Sequence, residues 1–381
     1  MAAHRYKNEE IKVMDIETKI MNISKETLEE ISKINNEPEW LLERRKLSFE
    51  KFESTLNPTS RRMDYKGLNL DNYFYDVNED DSGDVEYRSR FASKSLSFDI
   101  SIGEKNSISS IDNREAIVVL DDEYKSKGVI LTTLRNAISE HSELLTKYLF
   151  EIQEQQSDGK FNLLNSALWQ NGTFIYVPKN VEVNIPLTNL HIISKENNIY
   201  LPMVLVVTEL GSKVTLIDYH ASDSSDMNAF VSNSVEIVVG QNAKVDYVSI
   251  QEYGTNVNYF ASKRAVLKKD ATLNWVEVSL GSKFAKNNLT TVLNEPGSEV
   301  AMSGMFLADQ DQQMEFDTSQ IHTAPHAKSD LLYVGALRGR AHTNYEGIIR
   351  VHKGAQKTDA YQKNRNLLLS PEAKADSEPF L

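Results

Sequence analysis

A turn signature returns along the second half of the chain at a nearly constant distance. Small or polar residues, then a charge, then alternating apolar residues appear as GSKVTLI at 211, QNAKVDYV at 241, KDATLNWV at 269 and PGSEVAMSGM at 296. APHAKSDLLYV follows at 324, so the successive steps are 30, 28, 27 and 28 residues. Shorter returns occur at GRAHTNYEG (339) and KGAQKTDAY (353). Between these turns lie runs rich in Val, Ile, Leu, Tyr and Thr, several alternating with period two, as strands do. A fixed return distance points to a solenoid or a sandwich. In an antiparallel sandwich strands come back every ~8–12 residues. A return of 27–30 residues suits one coil of a β-helix, or a pair of short strands per coil. The expected core is therefore an all-β solenoid from about 175 to 375.

The residues before this core read differently. Ser24 is positioned to cap a helix over KETLEEISKI, with Glu26 in its first turn. Pro38 suits the first turn of a second helix, along which Trp40, Leu41, Leu47, Phe49 and Phe52 form an apolar face until Asn57-Pro58. The acidic NEDDSGD stretch reads as an exposed loop. AIVVL (116–120) and GVILTTL (128–134) read as strands, and residues 134–152 as helical. FNLLNSALWQNG (161–172) reads as a helix closed by Asn171-Gly172. Three regions result: a helical region with an acidic loop (1–95), a mixed α/β region (96–172) and the β-helix core (173–381).

Composition excludes several classes of chemistry. The 381 residues include no cysteine, which removes disulfides, thiolate nucleophiles and thiolate-ligated clusters or zinc. With 42 Lys+Arg against 55 Asp+Glu the net charge is −13, and no basic cluster suggests nucleic acid. The N-terminus MAAHRYKNEEIK has no apolar core of a secretory signal, and no apolar run reaches membrane-spanning length. The expectation is a cytoplasmic protein that binds neither nucleic acid nor membrane. P-loop, GxGxxG, GxSxG and HExxH motifs are all missing.

His322 and His326, four apart in QIHTAPHAKSD, are weak candidates for metal ligands. Pro325 argues against a helix there, and on a strand such positions share a face but lie ~13 Å apart. Structural or surface roles are the expectation for this pair, and solvated ones for His342 and His352. Asp309, Asp311, Glu315 and Asp317 lack the glycine of an EF-hand loop and read as a solvated turn. No catalytic residue is assigned. A β-helix enzyme acting on polysaccharide remains as an alternative that a convergent carboxylate cluster would favour.

The C-terminal run Gly354-Ala355-Gln356-Lys357-Thr358-Asp359-Ala360-Tyr361-Gln362 is followed by Asn364-Arg365-Asn366-Leu367-Leu368-Leu369-Ser370 and Ala375-Asp376-Ser377. It closely resembles the C-terminal signature of the SufB/SufD family of iron–sulfur cluster assembly proteins. NEPEWLLERR with Phe49-Glu50-Lys51-Phe52 looks like that family's N-terminal helix. Gly172–Lys179 with Ile185-Pro186-Leu187 looks like its first core strand, and Phe316-Asp317 through His322–His326 and Ser329 like its mid-helix motif. The likeness spans about 35–381. It is strongest to SufD-type members, because NLLLS follows QKNRN without a cysteine.

The resemblance implies a right-handed β-helix flanked by helical domains. It implies a scaffold that pairs with a SufB-like chain, is driven by a SufC-type ATPase and is not an enzyme. No cofactor is expected on this chain alone, an iron–sulfur cluster being the product of the assembled complex. Family members continue into an acidic strand, an SHGAT-like turn whose histidine is expected at the cluster-assembly site, and a helical domain that docks the ATPase. The expectation is that this C-terminal helical domain is missing here. In the family the end of the β-helix is where SufB-like and SufD-like chains join. Tyr345, Ile348, Tyr361 and Asn364 are therefore expected at or near a subunit contact, with a homodimer, or a purely structural one, when the partner is absent.

Overall fold

The computed structural model describes residues 19–21, 23–77 apart from 61, 64 and 66, 105–149 apart from 115, and 159–380 apart from 171. The acidic NEDDSGD stretch lies outside the described residues. From Leu187 onward the chain winds as a β-solenoid in which each coil gives one strand to each of two parallel sheets. The first sheet runs through Leu187–Ile193, Lys213–Ser222, Lys244–Glu252, Thr272–Ser279, Glu299–Ala308, Lys328–Leu337 and Asp359–Leu368. The second runs through Gly172–Val177, Met203–Thr208, Ala229–Val239, Asn258–Leu267, Phe284–Leu293, Gln313–His322, His342–Val351 and Lys374–Phe380.

The register explains the sequence repeat. Lys213 pairs with Lys244, then in turn come Thr272, Glu299, Lys328 and Asp359, one position per coil. Two residues before each of these stands a residue in the left-handed region: Gly211, Asn242, Asp270, Gly297, His326 and Lys357, with φ between 52 and 76°. One corner of every coil needs this conformation, which Gly, Asn and Asp adopt at little cost. The turn signature is that corner. Neighbouring strands within the solenoid are parallel, which excludes the antiparallel sandwich. Antiparallel pairing among the described residues lies outside the coils: Ser107–Ile111 meets Ile117–Val119, Ile130–Thr133 meets Gly172–Val177, and Lys19–Met21 meets Tyr75–Val77 in a separate two-stranded sheet.

The N-terminal helices Lys25–Ile34 and Glu39–Ser54 form where expected, with Ser24 Oγ accepting from the Thr27 amide. Pro38 stands at the N-cap itself, and the second helix stops at Ser54, ahead of Asn57-Pro58. Phe161, on helix Lys160–Leu168, packs 5.0 Å from Phe230 and 4.4 Å from Phe260, both on the outer side of the second sheet. Under this helix the sheet is thus buried on both faces, and strand Ala229–Val239 has no exposed residue. No helix among the described residues is long and apolar enough to cross a membrane.

Two local expectations need correction. Residues 134–152 do not form one helix. Leu134–Glu140 and Ser142–Tyr148 are separated at His141, so that Leu134, Ala137 and Ile138 join Leu145 and Tyr148 in one apolar cluster. Gly172 does not close the preceding helix, which ends at Leu168. It opens a strand in which a Cβ would lie 2.4 Å from the Met203 carbonyl oxygen, so only glycine permits that close approach.

Candidate functional site

Side chains alternate along a strand, so half of each strand faces the lumen between the sheets. Most lumenal positions are apolar, and their rings pack across the lumen between the two sheets: Phe306 against Phe316 at 4.8 Å, Tyr333 against Tyr345 at 5.3 Å. Gly304 and Gly335 exist to admit these rings, since a Cβ on either would lie within about 2.2 Å of Tyr333 or Phe306.

A polar seam interrupts this packing. On strand Lys213–Ser222, Asp218 and His220 follow Val214 and Leu216 in the inward phase. Asp218 accepts from Asn189 Nδ2 at 2.7 Å and from the Tyr247 hydroxyl at 2.6 Å, and its Oδ1 lies 2.8 Å from His220 Nε2. Burial pushes the Asp218 carboxyl upward. His220, Lys263 and the Tyr247 hydroxyl outweigh it and hold the group well below the usual carboxylate range. One coil on, Lys263 donates to Glu277 Oε1 at 2.7 Å and to Ser249 Oγ at 2.5 Å, while Trp275 Nε1 donates to Glu277 Oε2 at 3.2 Å. Both charged side chains are fully buried.

His191 ends the seam at a cavity of about 20 Å³, room for one water, lined also by Asp112, Thr173 and Asn189. Its Nε2 lies 3.2 Å from the Asp112 carbonyl oxygen, which can only accept, so Nε2 carries the proton and Nδ1 is left without a protein partner. Burial, helped by His220 beside it, pushes His191 from 6.5 down to about 3. The unfolded chain therefore binds a proton that the folded chain refuses between those values. Stability contributed by this group is complete above 6.5 and falls as pH drops towards 3, with a slope approaching ~1.4 kcal/mol per pH unit. Urea midpoints measured across this range will show a steeper acid decline for the native chain than for His191→Phe, and equal slopes would contradict the assignment.

The residues singled out from sequence lie in different places. His322 is buried in the lumen with Nε2 2.9 Å from Ser329 Oγ, and burial lowers its pKa. His326 is the exposed left-handed corner residue, its amide donating to the Gln356 carbonyl. The two do not face a common point, and among the described residues no three His, Asp or Glu converge as a metal site would need. Asp309 and Asp311 sit at a corner and pair with Arg338 and Arg340 of the next coil. Glu315 and Asp317 share Lys286 on the outer side of the second sheet, at 3.1 and 2.8 Å. These four carboxylates form no common cluster.

Asp359–Leu368 and Lys374–Phe380 end their sheets on this side, each paired with one strand among the described residues. Tyr361 lies exposed on the first of them, and Asn364 is half-buried there in register with Tyr333. Tyr345 and Ile348 lie one coil further in: Tyr345 is lumenal, its hydroxyl 3.0 Å from Thr318 Oγ1, and Ile348 pairs with Phe380. Leu367, Leu368, Leu369 and Phe380 add exposed apolar surface to the terminal coil.

A family model described as "SUF system FeS cluster assembly, SufBD core domain" matches residues 191–381, and one described as "SufBD protein N-terminal region" matches 14–188. The chain belongs to the SufBD family. An iron–sulfur cluster assembly SufBD family protein of Staphylococcus aureus (strain MRSA252) is 27% identical over 365 residues, 94% of this chain and 78% of the relative. The iron–sulfur cluster assembly protein SufD of Bacillus subtilis (strain 168) is 27% identical over 370 residues, 97% of this chain and 84% of the relative. In this SufBD chain the core match begins within strand Leu187–Ile193, so it takes in the whole polar seam from His191 onward and the terminal coil. Sequence reasoning had named none of Asp218, His220, Lys263 or Glu277. The available signal was a charged side chain in phase with buried apolar neighbours, as in Tyr259-x-Ala261-x-Lys263-x-Ala265.

Proposed function

We propose that this SufBD chain is a SufD-like, non-catalytic scaffold subunit of a SUF-type iron–sulfur cluster assembly complex in the cytoplasm. It pairs with a SufB-like chain and works with a SufC-type ATPase, the cluster being cargo of the assembly. The chain has no cysteine, so thiolate ligands to that cargo come from the partner. The observation that carries the pairing is the terminal coil. Among the described residues each of its two strands is paired on one side, and the coil exposes Tyr361, Leu367, Leu369 and Phe380. An open edge with apolar neighbours is suited to strand-to-strand association, in which main-chain hydrogen bonds hold the partner and alternate side chains set the register.

Co-expression of the tagged chain with the SufB-like and SufC-type proteins of its own organism tests this. The expected result is one complex by size-exclusion chromatography with light scattering, and a dimer of the chain alone at tens of micromolar. Leu367→Lys with Leu369→Lys should reduce partner recovery at least ~10-fold, a coupling of ~1.4 kcal/mol, while leaving Tm unchanged. A monomer that recovers neither partner would overturn the proposal.

A further inference from the structure

Methionine supplies the only sulfur in this chain. There are nine methionines and no cysteine, so the thiol rungs of the oxidation ladder are missing and the thioether is what can take up an oxygen atom reversibly. Among the methionine side chains described, five are sealed in: Met63 is 4% exposed, Met203 1%, Met227 2%, Met302 1% and Met314 0%. The sixth, Met305, is 43% exposed.

The contrast arises within one strand. Along Glu299–Ala308 the side chains alternate between solvent and lumen. Met302 falls in the lumenal phase, and Met305, an odd number of positions later, stands on the outer face of the first sheet. Strand register sets Met305 between Val278 and Val334, both half-buried on that face. Leu307 follows two residues on and Leu332 stands beside Ser303, at 49% and 40% exposed. Met305 is therefore the sulfur in the middle of an exposed apolar patch. A thioether is apolar and adapts to such neighbours, whereas a sulfoxide is polar and chiral and does not.

We propose that Met305 is a redox-sensitive modification site, whose oxidation by peroxide turns this part of the first sheet's outer face from apolar to polar. The sulfur lone pair attacks one oxygen of hydrogen peroxide. An S–O bond forms as the O–O bond breaks, and the sulfur is oxidised by two electrons. The departing hydroxide takes the proton from the transferred oxygen and leaves as water. A methionine sulfoxide reductase reverses the change. The site lies on the face of the sheet rather than at its edge, and it does not depend on the partner assembly proposed above.

The test is graded hydrogen peroxide treatment of the full native chain, followed by tryptic digestion and fragmentation mass spectrometry. Met302, Met305 and Met314 share the peptide from Asn287 to Lys328, so their oxidation is compared within one fragment. Met305 should gain oxygen at least ~10-fold faster than Met302 or Met314, because oxidation follows exposure. Retention on a hydrophobic-interaction column reads the surface itself. It should fall in step with sulfoxide at Met305 and return after treatment with the reductase. It should hold in peroxide-treated Met305→Leu, which keeps the volume and apolar character of the side chain. Equal rates at Met302 and Met305, the same retention change in the native chain and Met305→Leu, or a loss that the reductase does not restore would overturn the proposal.

Discussion

Replacing Lys263 by Met should cost about 3–5 kcal/mol in equilibrium urea unfolding, the largest loss expected from any single lumenal substitution. Lys263 Nζ lies 2.7 Å from Glu277 Oε1 with both side chains fully buried, so the ammonium is what makes a charge at Glu277 tolerable there. Met keeps the length of the side chain and removes the charge. Glu277 then retains only Trp275 Nε1 at 3.2 Å and Ser249 Oγ at 3.4 Å, two neutral donors against a desolvated carboxylate. The double variant Lys263→Met/Glu277→Leu should recover most of the loss, since a well-packed apolar pair often replaces a buried ion pair at little net cost. A single-variant loss under ~1 kcal/mol, the range of exposed pairs, would mean that the pair is hydrated rather than buried.

The repeat was legible because it is a backbone requirement. Every coil must turn the same corner, and the left-handed residue there recurs as Gly211, Asn242, Asp270 and Gly297 wherever the chain does so. The two-sheet arrangement was legible from the same spacing, because 27–30 residues accommodate two ten-residue strands and two turns. What alternation could not supply was the identity of the second surface. Strand Glu299–Ala308 alternates cleanly between exposed and buried, so its lumenal phase can be read directly. Ala229–Val239 is buried throughout, because Phe230 on its outer side packs under Phe161, and periodicity there is erased by a contact distant in sequence.

The candidate site was hidden for a related reason. Charged residues in a strand are ordinarily assigned to solvent, yet Asp218, Lys263 and Glu277 stand in the phase of their buried neighbours and find most of their partners on other strands. Their partners come from strands whose registers no local pattern fixes. The same applies to Gly172, whose proximity to Met203 depends on a strand pairing 31 residues away.

Arg45 predicts how the helical layer is tied to the solenoid. Its Nε and Nη2 donate to the two carboxylate oxygens of Glu37 at 2.8 and 2.7 Å, and its Nη1 donates to the Ala167 carbonyl at 2.9 Å. The guanidinium lies 4.3 Å over the Trp169 ring. Ala167 is in the last turn of helix Lys160–Leu168, where carbonyls lack intrahelical donors. One side chain thus neutralises a buried carboxylate, caps one helix and packs a ring that belongs to the cluster under the second sheet. Arg45→Met should therefore destabilise by about 3–5 kcal/mol, because Glu37 is left buried without its cation. Arg45→Lys should not rescue it, since an ammonium cannot make the two-pronged contact and reach Ala167 together. Hydrogen exchange gives the decisive pattern. Protection should fall in Glu39–Ser54 and Lys160–Leu168 and persist in the coils from Glu299 to Phe380, which share no contact with this cluster. Full stability in Arg45→Lys, or uniform loss of protection across all coils, would show that the helices are held by their apolar faces alone.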